Sequence, residues 1–424
     1  MKEKYEGANM MRISRRHFVS GVAGIGLSNL AAPYVARAAD GPIRVGLLTV
    51  KTGALASGGI DMERALVMYL KERDYMMAGR KVELVVGDTA GVPATARSKT
   101  QEMVEKNDVH CLIGPLAAFE ALAIDDYIRQ NKIPTLSVAA AEDMTQRHAN
   151  PWFVRATSTS SQCAQPLGEY AAKELKYKKM ITIADDIAYG QEMCAGFQRV
   201  FEDSGGQIIQ KLFPPLTVPD YGSYVAQLKD ADAIFLGFAG SNGFRFLRQF
   251  VDYGLKDKMQ VIGGMTALDE AVLRNMGDEA LGIITTCWYS AELDAKPNQV
   301  FAPAFRNEFK YDPGFYAAST YVNGAVLEAA VKAVGGKVED KAALMAALRA
   351  SNVETARGPV KFDDLGNVVG NVYLRKVSRK DGRLVNSVFK TYPDVSQFWT
   401  YGKQAFLANP VYSRDFPPAK YLER

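Results

Sequence analysis

Short apolar runs alternate along most of the chain with longer stretches whose apolar residues recur every three or four positions. Ile43 to Thr49, Val82 to Gly87, Val109 to Gly114 and Ile133 to Val138 read as strands, being apolar and ended by Gly, Asp, Pro or Ser. In the first intervening stretch Met62, Ala65, Leu66, Tyr69 and Leu70 fall on one face of a helix, which sets an apolar stripe against a sheet. Strand and helix in strict alternation predict a parallel sheet covered by helices.

The pattern restarts after the polar break Thr157 to Ser161. Met180 to Ala184, Gln207 to Phe213, Ala231 to Gly237, Gln260 to Gly263 and Leu281 to Thr286 form a second set of strands separated by helical segments. Residues from about Phe301 to Ala350 return to helix. Gly358 to Phe362 and Val372 to Val377 then read as late strands flanking an Asp363 to Asn367 turn. The last segment, Ser396 to Arg424, carries Phe398, Trp399, Tyr401, Phe406, Tyr412 and Phe416 among prolines and is expected to pack over a lobe. The predicted class is α/β with two lobes, each an open, mainly parallel sheet with helices on both faces.

The first forty residues carry a different pattern. Ser14, Arg15, Arg16, His17 and Phe18 precede a modest apolar run, Val19 to Ala32, and then Ala36-Arg37-Ala38. This is the form of a twin-arginine signal peptide over residues 1–38, cleaved near Ala38. A spanning helix needs about 20 predominantly apolar residues, and this run is shorter and interrupted by Gly, Ser and Asn. The expected destination is the periplasm, reached through the twin-arginine export machinery. Without residues 1–38 the 51 basic and 47 acidic residues become 45 of each. The remaining chain is formally neutral, so no nucleic-acid or membrane-surface footprint is expected.

Cys111, Cys163, Cys194 and Cys287 are scattered with no C-x-x-C pair, which gives zinc and dithiol chemistry no local support. Cys111 and Cys287 read as buried thiols, and a Cys163 to Cys194 bridge stays open. Beyond the signal segment only His110 and His148 remain, which weakens histidine-based catalysis and metal binding alike. G-F-A-G-S-N-G has the wrong spacing for a dinucleotide loop. No catalytic residue, metal ligand or cofactor is expected; in an enzyme the base would have to be a carboxylate, with Asp185 and Asp186 the paired acids nearest a cleft.

In open parallel sheets ligands bind beyond the carboxyl ends of the strands. Those places are Ala56 to Gly59, Gly114 to Phe119 and Ser137 to Ala141 in the first lobe, and Asp185 to Gly190 and Gly237 to Gly243 in the second. Two facing half-sites make a cleft.

IRVGLLTVKTGALASGG, CLIGPLAAFEALA, IPTLSVAAAEDMTQR, WFVRATSTSSQ, DDIAYGQEM and GPVKFDDLGNVVGNVYLRKV follow one another in an order that resembles the type I periplasmic solute-binding proteins of ABC importers, the leucine/isoleucine/valine-binding family. The resemblance implies two lobes joined by three hinge crossovers, near Thr157, Trp288 and Asp363. Residues 39–157 with 289–363 then make lobe 1, and 158–288 with 364–424 make lobe 2. It implies a ligand carboxylate held near Ala118, Ala139 and Ala141, loop contacts at Ser57 and Gly58, and a stacking tyrosine at Tyr189. The implied partners are a small-molecule carboxylate and the permease and ATPase subunits of an ABC importer.

The acid that neutralises an amino acid's ammonium in the leucine-type proteins would fall at or beside Met265, where no acid stands. Burying an unpartnered ammonium costs several kcal/mol. Met265 with Phe119, Tyr189 and Phe238, beside Gly240 in its loop, instead suits a flat aromatic acid of benzoate or phenylpropenoid type. The alternatives are that Met265 and Phe238 are core, or that Asp269 supplies the charge for a branched-chain or other amino acid. Arg155 is either a carboxylate clamp or, as favoured here, part of a structural ion pair beside a crossover. A ligand sensor of the same fold is a further alternative.

Overall fold

Six strands, Ile43–Thr49 (β1), Met76–Met77 (β2), Arg80–Asp88 (β3), Cys111–Ile113 (β4), Thr135–Ser137 (β5) and Phe153–Arg155 (β6), pair in the order β2-β3-β1-β4-β5-β6. All pairs are parallel except the β2–β3 hairpin. The apolar runs read from the sequence supply β1, β3, β4 and β5, because a sheet covered on both faces has no polar side to alternate with. This computed structural model describes residues 41–418 and 420–423, so the expected signal peptide lies outside the described residues. Among them no helix is long and apolar enough to cross a membrane.

A second sheet holds Lys179–Ala184 (β7), Gln207–Leu212 (β8), Ala233–Gly237 (β9), Gln260–Gly263 (β10), Ile284–Cys287 (β11), Asn352–Thr355 (β12), Gly358–Phe362 (β13), Val368–Lys380 (β14) and Arg383–Val395 (β15). Its order is β12-β13-β14-β11-β10-β9-β7-β8, with β15 on β14. Strands β7 to β11 are mutually parallel; β14 joins β11 antiparallel. The sequence gives little sign of β15, a half-exposed hairpin strand in which polar residues interrupt the apolar ones. Its turn is nonetheless written in Asp381-Gly382, both at positive φ, as a two-residue hairpin requires. Strand β11 starts later than the Leu281 expected, because Leu281 and Gly282 form a turn with Gly282 at φ +83.

Between β11 and β12 the chain goes back to the first lobe. Its long helix Phe315–Ala333 lies along the helix Ala56–Lys71, and Thr320 Oγ1 donates to the Met62 carbonyl at 2.7 Å. Gly324 lets the two come close, since a Cβ there would sit 2.7 Å from the Tyr69 ring. The aromatic tail covers the second lobe's helix Ala188–Asp203. Phe398, Phe406 and Tyr412 cluster with Ala195, and Arg199 stacks 3.8 Å from the Tyr401 ring centre.

Three buried arginines tie the segments that pass between the lobes. Arg155 donates to the carbonyls of Ala139, at 2.9 Å, and Ala141, to Thr145 Oγ1 at 2.6 Å and to Asn367 Oδ1 at 3.0 Å. Arg357 donates to the carbonyls of Ala156, Thr157 and Asn371, and Arg375 to that of Tyr289. The ion pair expected for Arg155 is replaced by this set. No carboxylate of the described residues lies within salt-bridge reach of it, so its charge is met by oriented dipoles from two stretches of chain, 139–145 and Asn367. The β6 edge also touches β14's approach through the bridge between Arg155 and Asn367.

Candidate functional site

Beyond the carboxyl ends of β1, β4 and β5, the first lobe contributes Leu55, Leu116, Ala117, Ala118, Val138 and Ala140 to one wall of a cavity. Ile187, Tyr189, Ala239 and Thr266 face them from the second lobe, and Phe315 and Tyr316 close the space at the start of their helix. The cavity is narrow, about 30 Å³, with a largely hydrocarbon lining.

Its polar features are few and each has a local cause. Ala117 precedes the helix Ala118–Asn131, and the Ala117 N–H donates to Glu120 Oε2 at 3.0 Å. That cap leaves the first-turn N–H groups of Ala118 and Phe119 without intrahelical acceptors, which makes this end of the cavity favourable to a carboxylate. On the second lobe Thr266 Oγ1 donates to the Phe238 carbonyl at 2.9 Å and lies 2.8 Å from the Tyr189 hydroxyl. Burial pushes the Tyr189 phenol well above its ordinary pKa and keeps it neutral.

The lobes touch at several points around the cavity. Gly240, at φ +55, brings the second lobe's loop onto the Ala54 carbonyl so closely that a Cβ there would overlap the oxygen. Within the first lobe Gly58 lies against the Tyr316 ring, 2.6 Å from where its Cβ would be, which sets that ring at the cavity. Asp269 Oδ2 accepts from the Phe315 N–H at 2.6 Å, fastening the second lobe to the start of the first lobe's helix. Arg383 of β15 pairs with Asp312. These contacts describe a closed cleft.

The residues expected at the site divide accordingly. Ala118 and Tyr189 line the cavity. Ala139 and Ala141 are buried behind it with carbonyls bonded to Arg155, and it is Ala140 between them that faces the space. Leu55 lines the cavity where Ser57 and Gly58 were expected to, and Phe119, part-buried, follows the lining turn. Phe238 lies in an aromatic core with Tyr221 and Phe246, its centroid 5.4 Å and 5.3 Å from theirs. Met265 is buried with its sulfur 3.1 Å from Ser158 Oγ, so its neighbour Thr266 is the residue that reaches the cavity. The alternate period after β10 turns one residue inward and the next outward, and a strand-end loop gives no sign of which.

Thr266, Phe315 and Tyr316 were not singled out from the sequence. The last two had a usable signal, an aromatic pair directly after Pro313-Gly314 at a helix start. Asp269 is taken up as the cap of its own short helix, accepting from Ala271 N–H at 3.1 Å, and by Phe315, which leaves it no free face for an ammonium. Asp185 holds the second lobe's loop through the Ala239 N–H at 2.8 Å and Asn242 Nδ2 at 2.6 Å; Asp186 pairs with Arg414 of the tail. All four cysteines are free and buried, so Cys163 and Cys194 are not bridged. Among the described residues no group of three or more His, Cys, Asp or Glu side chains is placed to hold a metal ion.

Burial raises the carboxyls of Asp61 and Asp185 to about 7, and that of Glu270 to about 8. A folded-state value above the unfolded one means that the folded protein holds protons the unfolded chain has released. The resulting stability is present at low pH and is lost as pH rises through the folded values. His110, which burial holds below its usual value, opposes this. The melting temperature is expected to be higher at pH 5 than at pH 8. Asp61→Asn, which keeps an acceptor for the Tyr311 hydroxyl, should shrink the stability difference between pH 5 and pH 8 by about 2–3 kcal/mol. An unchanged slope in calorimetric scans of the variant would show that Asp61 titrates normally.

The chain matches the family model described as periplasmic binding protein over residues 42–383. It is 27% identical over 360 residues to the Leu/Ile/Val-binding protein homolog 6 of Brucella abortus (strain 2308), covering 82% of this chain and 91% of that one. Among solved structures it resembles a solute-binding protein of an ABC transporter from Rhodopseudomonas palustris BisB5, in complex with 3,4-dihydroxy benzoic acid, at 33% identity and TM-score 0.80 over 84% of this chain and 98% of that one. A second, from Rhodopseudomonas palustris HaA2 in complex with p-hydroxybenzoic acid, is 26% identical with TM-score 0.79 over the same shares. With two α/β lobes closed over a cavity and this match across most of its length, the chain belongs to the type I periplasmic binding proteins, the leucine/isoleucine/valine-binding family of ABC-transporter substrate-binding proteins.

Proposed function

We propose that this protein captures a small aromatic carboxylate in the cleft between its lobes and presents the closed form to the permease of an ABC importer. The observation that carries the reading is the cavity itself. Its lining is apolar, the helix start at Ala118 stands at one end, and no carboxylate of the described residues lines it. A flat ring with one carboxylate meets both demands, whereas an α-amino acid brings an ammonium that finds no anion and forfeits several kcal/mol. The aromatic acids bound by the two Rhodopseudomonas palustris proteins support this choice. The name of the Brucella relative favours the second reading, a branched-chain amino acid.

Capture works through closure. A ligand that touches both lobes binds the closed form better than the open one and shifts the equilibrium by that difference. No covalent step is needed, and the permease reads the closed shape. Residues 1–38 are the export signal in this reading, residues 39–157 with 289–363 and 158–288 with 364–424 are the moving bodies, and the site of action is the periplasm.

Small-angle scattering of ligand-stripped protein tests it. Addition of benzoate or a hydroxybenzoate should reduce the radius of gyration, and mass spectrometry should recover the acid unchanged. Compaction by leucine alone would favour the amino-acid reading, and a modified acid would mean an enzyme.

A further inference from the structure

We infer that the hydroxyls of Tyr189 and Thr266 form a reader for a hydrogen-bond donor on the ligand's ring, so that the substrate class is hydroxylated aromatic acids rather than unsubstituted ones. This rests on the aromatic-carboxylate reading and narrows it.

Thr266 Oγ1 lies 2.9 Å from the Phe238 carbonyl, which can only accept, so the threonine's single hydrogen is committed there. The 2.8 Å contact between Thr266 and Tyr189 must then be made with the tyrosine's hydrogen. Tyr316, from the other lobe, lines the cavity beside them. The Tyr189 hydrogen turns toward Thr266, and what the pair offers the cavity is lone pairs.

A ring hydroxyl supplies the missing donor. A hydrogen, halogen or methoxy group at that place leaves buried acceptors unmatched, and sites built around a substrate hydroxyl discriminate strongly against analogues without one. The cluster is ill suited to the carboxylate, because with the Thr266 and Tyr189 hydrogens committed it offers acceptors to a group that can only accept. The carboxylate therefore belongs at the start of the helix Ala118–Asn131, and the hydroxyl at the cluster. Thr266 stands one residue from the position where the leucine-type resemblance places an acid.

Calorimetric titration of the purified, ligand-stripped protein with benzoate, 3- and 4-hydroxybenzoate and their methoxy counterparts decides it. At least one hydroxybenzoate should bind about tenfold or more tightly than benzoate and than its own methoxy ether. Tyr189→Phe and Thr266→Val should bring the ratio of hydroxybenzoate to benzoate affinity most of the way to one. Equal binding of benzoate, methoxybenzoates and hydroxybenzoates would overturn the inference and leave the aromatic-acid reading standing. So would a Tyr189→Phe variant that loses all the acids equally, which would assign the cluster to the carboxylate. Binding of none of these acids would sink the aromatic-acid reading and this inference with it. The ligand series uses the unaltered protein, so it decides even where a variant fails to fold.

Discussion

Arg155→Met should destabilise the folded protein by about 3–5 kcal/mol, the largest loss expected from any single substitution at the hinge. The guanidinium is fully buried and satisfies the carbonyls of Ala139 and Ala141, Thr145 Oγ1 and Asn367 Oδ1 together. Methionine fills most of the volume but donates nothing. At least two buried carbonyls then lose a charged donor, at about 1–3 kcal/mol for each stranded group. The damage is local to the region where the first lobe's last strand meets the return to the second, so ligand binding should fall as well. Arg155→Lys, with one ammonium in place of a planar fork, should recover only part of the loss. Denaturant unfolding measures both. A methionine variant within about 1 kcal/mol of the original would mean that these bonds contribute little net stability.

Gly240→Val should weaken ligand binding by tenfold or more while costing the unliganded protein only about 1–2 kcal/mol. Gly240 has φ +55, a region an L side chain enters at a cost, and its missing Cβ is where the Ala54 carbonyl oxygen comes from the opposite lobe. A side chain there collides only when the lobes are together. The substitution therefore penalises the closed form beyond its penalty on the open one, and ligand affinity falls by that difference. In scattering the variant should stay expanded at ligand concentrations that compact the original protein. Unaltered affinity with normal compaction would mean that the Gly240 to Ala54 contact is not part of the bound state.

The alternating strands and helices were legible because a sheet buried on both faces writes itself as near-continuous apolar runs. Strands β1, β3, β4, β5, β7, β8, β9, β10 and β13 fall where those runs are. Strand β15 is half-exposed and carries no such run, and Phe153–Arg155 spans three residues beside Pro151, too few for a period to show. The cavity was legible at the level of loops: each place named beyond a strand's carboxyl end supplies or abuts its wall. Individual side chains were not. Whether Met265 or Thr266 faces the ligand depends on the twist of one loop residue. Whether Asp269 is free depends on a helix start, Phe315, that lies 46 residues away in sequence. Arg155 shows the same limit, since its partners come from the segment after β5 and from Asn367, and no local pattern joins them.

The proposed ligand of the cleft is an aromatic carboxylate and not an α-amino acid. Isothermal titration of the ligand-stripped protein with 4-hydroxybenzoate and with leucine, in the same buffer, addresses it most directly. Saturable binding of the aromatic acid at about micromolar or tighter affinity and no heat from leucine is the expected result. Tight binding of leucine with none for the aromatic acid would contradict it and require an anion for the ammonium that the closed cleft does not offer.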